Sequence, residues 1–101
     1  MDTTVALIED RAVLSLCGRF DFNAHHEYRE ALERLMSHAE AHAFEVDLSR
    51  VSYLDSSALG MLLVLRERAN RANAPVALVG AQGSVRQVLD IANFSRIFAI
   101  R

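Results

Sequence analysis

Asp55, Ser56 and Ser57 are the residues of this chain whose types and spacing best suit chemistry. They stand between an apolar run that ends at Leu54 and a long apolar segment with helical spacing. Such a position is the mouth of a helix, where unpaired backbone N–H groups and the helix dipole favour an anion. Two interpretations follow: the three side chains only cap these donors, or this helix mouth holds a phosphate group.

No other set of residues forms a recognisable catalytic site. All 11 basic residues are arginine, which excludes a P-loop lysine, a Schiff-base lysine and a lysine general base. The loop at residues 80–84 has neither dinucleotide-binding nor nucleophile-elbow spacing. We therefore expect a binding protein, not an enzyme, without a metal site and without a cofactor.

Length and composition favour one globular domain over residues 1–101. The chain is 51% hydrophobic and has a net charge of −2 with no charged block, which gives no reason to expect a nucleic-acid partner. Its first residues do not form a signal peptide, and its longest apolar run, Met61–Leu65, is too short for a membrane span. We expect a cytoplasmic protein in which the single cysteine, Cys17, is buried.

Hydrophobic periodicity predicts the order β-β-α-β-α-β-α-(β), which is an α/β fold with a mixed, largely parallel sheet of four to five strands. Asn23 is expected to cap the first helix, and Ser84 to begin the third with a capping box. The predicted elements are a hairpin of Val5–Ile8 and Val13–Cys17, a helix at about 24–41, a strand at 44–49, a helix at about 57–70, a strand at 76–79, a helix from Ser84 and a short last strand.

Asp55-Ser56-Ser57-Ala58-Leu59-Gly60 resembles the phosphorylation-site motif of the STAS family, the sulfate-transporter and anti-sigma-factor-antagonist domain. The family pattern is an apolar strand, Asp-Ser-Ser or Asp-Ser-Thr, a small residue, an aliphatic residue and glycine. The strand Val46–Ser49 and the element order are also similar, so the resemblance covers nearly the whole chain. It implies the STAS fold and a protein of the anti-sigma factor antagonist type.

The resemblance assigns roles to individual residues. Ser57 corresponds to the family's phosphorylated serine, while Ser56 is expected to turn inward or to cap the helix with Asp55. Asp47 is expected to order the serine loop. The loop of Asp21, Phe22 and Asn23 would belong to the partner-binding face, with Phe22 either an exposed anchor or a core residue.

The second helix has two apolar stripes. Ala58, Leu62, Leu65 and Ala69 form its inner stripe. Met61, Val64 and Arg68 form an outer stripe, which either docks a partner or packs under a neighbouring loop. The predicted partner-binding set comprises Asp21, Phe22, Asn23, Ala58, Met61 and Val64.

The partners implied by the resemblance are an anti-sigma factor or a serine kinase of the histidine-kinase-like ATPase type, and a PP2C-type phosphatase. The unphosphorylated form, a monomer or weak dimer, would sequester the anti-sigma factor. Two alternatives remain open at this point: a STAS subunit of a transporter or stressosome-like complex, and a module that senses a small ligand in a groove near the serine loop.

Overall fold

The computed structural model describes all residues from Met1 to Arg101. Five strands form one sheet in the order β1-β2-β3-β4-β5, and three α-helices connect them. The elements are β1 Asp2–Ile8, β2 Arg11–Phe20, α1 His25–Met36, β3 Ala43–Leu54, α2 Ser56–Arg71, β4 Val76–Val79, α3 Gly83–Ile91 and β5 Ala99–Ile100, with 3₁₀ turns at Phe22–Ala24 and Phe94–Arg96. The predicted α/β class and element order are confirmed.

The sheet has helices on one face only. β1 pairs antiparallel with β2, and every later pair is parallel. Because the strands lie in chain order, each helical crossover leads to the next strand of the sheet. Right-handed crossovers in this order place all three helices on the same side. The aligned residues Leu14, Val46 and Leu78 point into the core and are fully buried.

Charged side chains cover part of the opposite face. Glu45 lies 3.3 Å from the Arg11 guanidinium and 3.4 Å from the Arg101 guanidinium, and its side chain is only 14% exposed. Its neighbours across the sheet, Val13 and Ala77, are buried although they lie outside the main core. Long arginine stems lying on apolar surface explain how this face stays shielded without a second layer of helices.

The first helix is shorter than predicted at its carboxyl end and begins differently. It stops at Met36 because the Ser37 hydroxyl donates to the Arg34 carbonyl at 2.6 Å and the chain then turns towards β3. Asn23 is not the cap of this helix. Its backbone N–H instead donates to the Asp21 carboxylate, which caps the preceding 3₁₀ turn.

Two other local expectations are wrong. Ser84 lies inside α3, and Gln82 precedes that helix without a side-chain cap. Cys17 is half-buried rather than buried, because it lies on the sheet face without helices. No helix is both long enough and apolar enough to cross a bilayer.

Gly80 is a position where only glycine fits. Its φ is +78°, and a Cβ there would lie 2.8 Å from the Ser49 Cβ and 3.2 Å from a carboxylate oxygen of Asp47. We expect Gly80→Ala to lower the free energy of unfolding by about 1–3 kcal/mol through strain and overlap, measured by urea denaturation. Gly60→Ala is the matched control, because open space surrounds Gly60 in α2 and alanine there should stabilise by up to about 1 kcal/mol.

Candidate functional site

The amino end of α2 is capped by Asp55 and keeps unpaired donors. The Asp55 carboxylate accepts the Ala58 N–H at 3.0 Å, and its carbonyl accepts the Leu59 N–H at 3.3 Å. The amides of Ser56 and Ser57 precede these donors and have no acceptor within the helix. The end of a 16-residue helix with free N–H groups is suited to an anionic oxygen.

The two serines differ in exposure. Ser57, the second residue of α2, is half-buried, whereas Ser56 is exposed. The expectation that Ser56 turns inward is therefore wrong: Asp55 caps the helix, and Ser56 projects into solvent. Ser57 lies in the first turn of α2, next to the buried Ala58.

The serine loop and the Asp21 loop meet at one edge of the sheet, as the parallel topology predicts. β2 and β3 remain paired to their ends, with Phe20 opposite Leu54. The Phe20 carbonyl then accepts the Asp55 N–H at 3.4 Å. This bond joins the chain segment that precedes Asp21 directly to the helix mouth.

Asp21 organises its own loop. Its carboxylate accepts the Asn23 N–H at 3.0 Å and lies 3.4 Å from the Arg19 side chain, and it is only 17% exposed. The Arg19 guanidinium also lies 4.1 Å from the centre of the Tyr53 ring, a cation–π contact. The Asn23 amide and the Arg19 side chain therefore hold the Asp21 carboxylate in place.

Phe22 is exposed, which decides the alternative that the sequence left open. Its side chain is 69% exposed and stacks on His25 with ring centres 6.3 Å apart. An exposed aromatic ring next to a cluster of loops is suited to contact another molecule. Asn23 is exposed beside it.

Two members of the predicted partner-binding set are not on the surface. Ala58 is fully buried and Met61 is 6% exposed, whereas Val64 is 50% exposed. Met61 lies on the side of α2 that faces α1, so a neighbouring helix buries it. The spacing of residues along α2 carries no information about that neighbour, so it could not decide whether Met61 docks a partner or packs against another element; the structure shows that Met61 packs against α1.

Asp47 does not order the serine loop. Its carboxylate accepts the Ser49 N–H at 2.9 Å on the sheet face without helices. β3 continues through residues 48–54 before the serines begin. Asp47 instead lies against Gly80, at the point where β3 and β4 stop pairing.

Comparison with known proteins identifies the family. Residues 3–100 match the family model described as "Mlab, STAS domain". The chain belongs to the STAS family. It is 45% identical over 87 residues to the STAS-domain containing protein PA14_20770 of Pseudomonas aeruginosa strain UCBPP-PA14. The aligned region covers 86% of this chain and 84% of that protein.

Solved structures of anti-sigma factor antagonists share this STAS fold. An antagonist from Mycobacterium paratuberculosis superposes with a TM-score of 0.86 at 22% identity, over 98% of this chain and 83% of that one. The Bacillus cell fate determinant SpoIIAA in its phosphorylated form gives a TM-score of 0.72 at 16% identity, over 99% of this chain and 91% of that one. At these identities the similarity establishes the fold.

A groove lies between α1 and α2. Its volume is about 320 Å³, and it is lined by His25, Tyr28, Arg29, Leu32, Glu33, Met61, Val64 and Arg68. Tyr28 is 1% exposed, and its hydroxyl has no hydrogen-bond partner. Burial raises the pKa of Tyr28 far above its ordinary value, so this hydroxyl stays a neutral donor. An unpaired buried hydroxyl costs about 1–3 kcal/mol.

An ion pair joins the two helices of this STAS domain beside the groove. Arg68 donates to both carboxylate oxygens of Glu33, at 2.7 and 3.3 Å. Hydrogen bonding and charge attraction from Arg68 lower the pKa of Glu33 below its ordinary value, and the same contacts raise the pKa of Arg68.

We expect NMR titration to show a Glu33 carboxyl midpoint below that of an ordinary glutamate. Because the pKa of Glu33 is lowered in the folded state, its contribution to stability is present above the unfolded pKa and is lost as the pH falls through the folded pKa. Arg68→Gln should raise the midpoint. A Glu33 midpoint that is unchanged by Arg68→Gln would show that the ion pair does not form in solution.

Proposed function

We propose that this STAS protein is an anti-sigma factor antagonist whose partner binding is switched off by phosphorylation of Ser57. The observation that carries the proposal is the position of Ser57: half-buried in the first turn of α2, beside free amides, at the sheet edge shared with the Asp21–Asn23 loop. The antagonist SpoIIAA, which has this fold, has been solved in both unphosphorylated and phosphorylated forms, which supports the proposal.

The helix mouth explains how the fold tolerates the modification while a complex does not. Phosphate adds about −1.5 to −2 charges and three acceptor oxygens. The amides of Ser56 and Ser57 can receive some of those oxygens, so the domain keeps its structure. A docked partner must instead cover a nearly unpaired dianion next to Asp55, which costs several kcal/mol. A loss of about 4 kcal/mol weakens binding roughly a thousandfold.

The partner surface in this proposal is the exposed set around Ser57. Phe22, Asn23 and Val64 supply accessible contacts, whereas Asp21 fixes the loop that presents Phe22. The proposed partners are an anti-sigma factor or a serine kinase of the histidine-kinase-like ATPase type. A PP2C-type phosphatase would restore the binding form by removing the phosphate.

Phosphosite mapping tests the assignment of Ser57. The cognate kinase and ATP should modify one residue of this chain, identified by mass spectrometry of the intact protein and its peptides. Ser57→Ala should abolish the modification, and Ser56→Ala, which changes the exposed neighbour, should leave it intact. Phosphate on Ser56, or on no serine of this loop, would contradict the proposal.

Val64→Arg tests the partner surface separately from the phosphosite. Because Val64 is half-exposed, arginine should leave the melting temperature within a few degrees of wild type. We expect at least about tenfold weaker binding of the unphosphorylated protein, since a long charged side chain would enter the contact area. Ile91→Arg, at an 83% exposed position of α3, is the matched control and should bind like wild type. Equal binding by both variants would remove Val64 from the interface.

A further inference from the structure

We propose that the groove between α1 and α2 binds a small monocarboxylate whose apolar body carries a hydrogen-bond acceptor. This site shares Val64 with the proposed partner surface, but binding there requires neither a partner nor phosphorylation. The volume of about 320 Å³ lies at the lower end of the range for small-molecule sites. Half of the lining residues are hydrophobic, including Leu32, Met61 and Val64, and they would contact the apolar body.

The charges at the rim select a carboxylate. Arg29, Arg68 and Glu33 line the groove, which leaves one net positive charge among the three. Arg68 is already engaged by both oxygens of Glu33. Arg29 is exposed and forms no direct hydrogen bond within the chain, although its charge helps Arg68 to lower the pKa of Glu33. Its planar, forked guanidinium is matched to a carboxylate, which it binds with two parallel hydrogen bonds.

Tyr28 supplies the second polar contact. It forms part of the groove wall, and its hydroxyl is buried without a hydrogen-bond partner. Met61 lines the same groove, is 6% exposed and has a flexible thioether side chain, so this wall can rearrange when a ligand binds. The ligand's acceptor would then satisfy the one neutral side-chain group that the fold buries unpaired.

The probes are 4-methoxyphenylacetate, phenylacetate and uncharged 2-phenylethanol, titrated into the full chain and followed by ¹H–¹⁵N NMR. We expect saturable shifts confined to α1 and α2 around the groove. Phenylacetate, which lacks the acceptor, should bind about fivefold more weakly than 4-methoxyphenylacetate. Uncharged 2-phenylethanol should bind at least about tenfold more weakly than phenylacetate. Absence of saturation at roughly 10 mM, or shifts centred elsewhere, would overturn the proposal.

Two variants assign the contacts. Arg29→Gln should weaken both carboxylates about tenfold and leave 2-phenylethanol unchanged. Arg34→Gln is the matched control on the same helix, because Arg34 donates to Thr3 outside the groove. If Arg29→Gln binds the carboxylates like wild type, the site is not a carboxylate site.

Tyr28→Phe should have opposite effects on stability and on binding. Removing an unpaired buried hydroxyl should raise the melting temperature of the free protein. The same change should abolish the preference for 4-methoxyphenylacetate over phenylacetate. A preference that survives in Tyr28→Phe would contradict the proposed acceptor contact. Because these measurements use the chain without a partner, their failure would leave the proposed switch at Ser57 untouched.

Discussion

A Ser57→Asp variant is expected to melt near the wild-type temperature and yet bind its partner about 10² to 10³ times more weakly. An acidic side chain in the first turn of α2 interacts favourably with the helix dipole, so the fold loses no stability. The partner, in contrast, would have to desolvate a second carboxylate beside Asp55. The loss should be smaller than that caused by phosphate, because aspartate carries one charge instead of nearly two.

Titration calorimetry with the purified partner and thermal unfolding of the free variant together test this prediction. Ser57→Ala should bind like wild type and resist phosphorylation. Ser56→Asp is the matched control for added charge, because it places the same carboxylate on the exposed neighbour. If Ser57→Asp bound as tightly as wild type, or if Ser56→Asp weakened binding equally, charge at Ser57 would not be the switch.

Leu62→Ala and Leu65→Ala should each lower the free energy of unfolding by about 2–5 kcal/mol. Both side chains are fully buried between α2 and the sheet, so truncation removes apolar contacts and leaves a cavity. Leu63→Ala provides a control of identical chemistry, because Leu63 is 41% exposed and should cost less than about 1 kcal/mol. Urea denaturation of the three variants measures the difference.

Met61→Arg extends the same test to a residue whose burial the sequence left open. An arginine in place of a 6% exposed methionine would bury an unpaired charge, so we expect a loss of at least about 3 kcal/mol. Val64→Arg should remain folded under the same conditions. A stable Met61→Arg protein, together with a costly Leu63→Ala, would mean that α2 is rotated from its position in this structure.

Much of the fold follows from local sequence patterns. The alternation of apolar residues at 44–48 and the helical stripe Ala58–Leu62–Leu65 were both predicted and are present. These features depend on near neighbours in the chain, whose geometry is set by backbone periodicity and local hydrogen bonding. The parallel order of strands follows from the same patterns, and it brings the serine loop and the Asp21 loop to one edge.

The remaining features depend on contacts between segments distant in sequence. Met61 is buried because α1 lies beside α2. Asp47 lies away from the serines because β3 continues to Leu54 along β2, a length that pairing between strands decides.

The sequence by itself therefore determined the element order, the family motif and the capped helix mouth that holds Ser57. Only the tertiary structure decided which side chains around that mouth are exposed, and it alone produced the groove with Arg29 and the unpaired Tyr28 hydroxyl. The physical reason is that helix periodicity defines which residues share a face, whereas burial of that face depends on where the other elements pack.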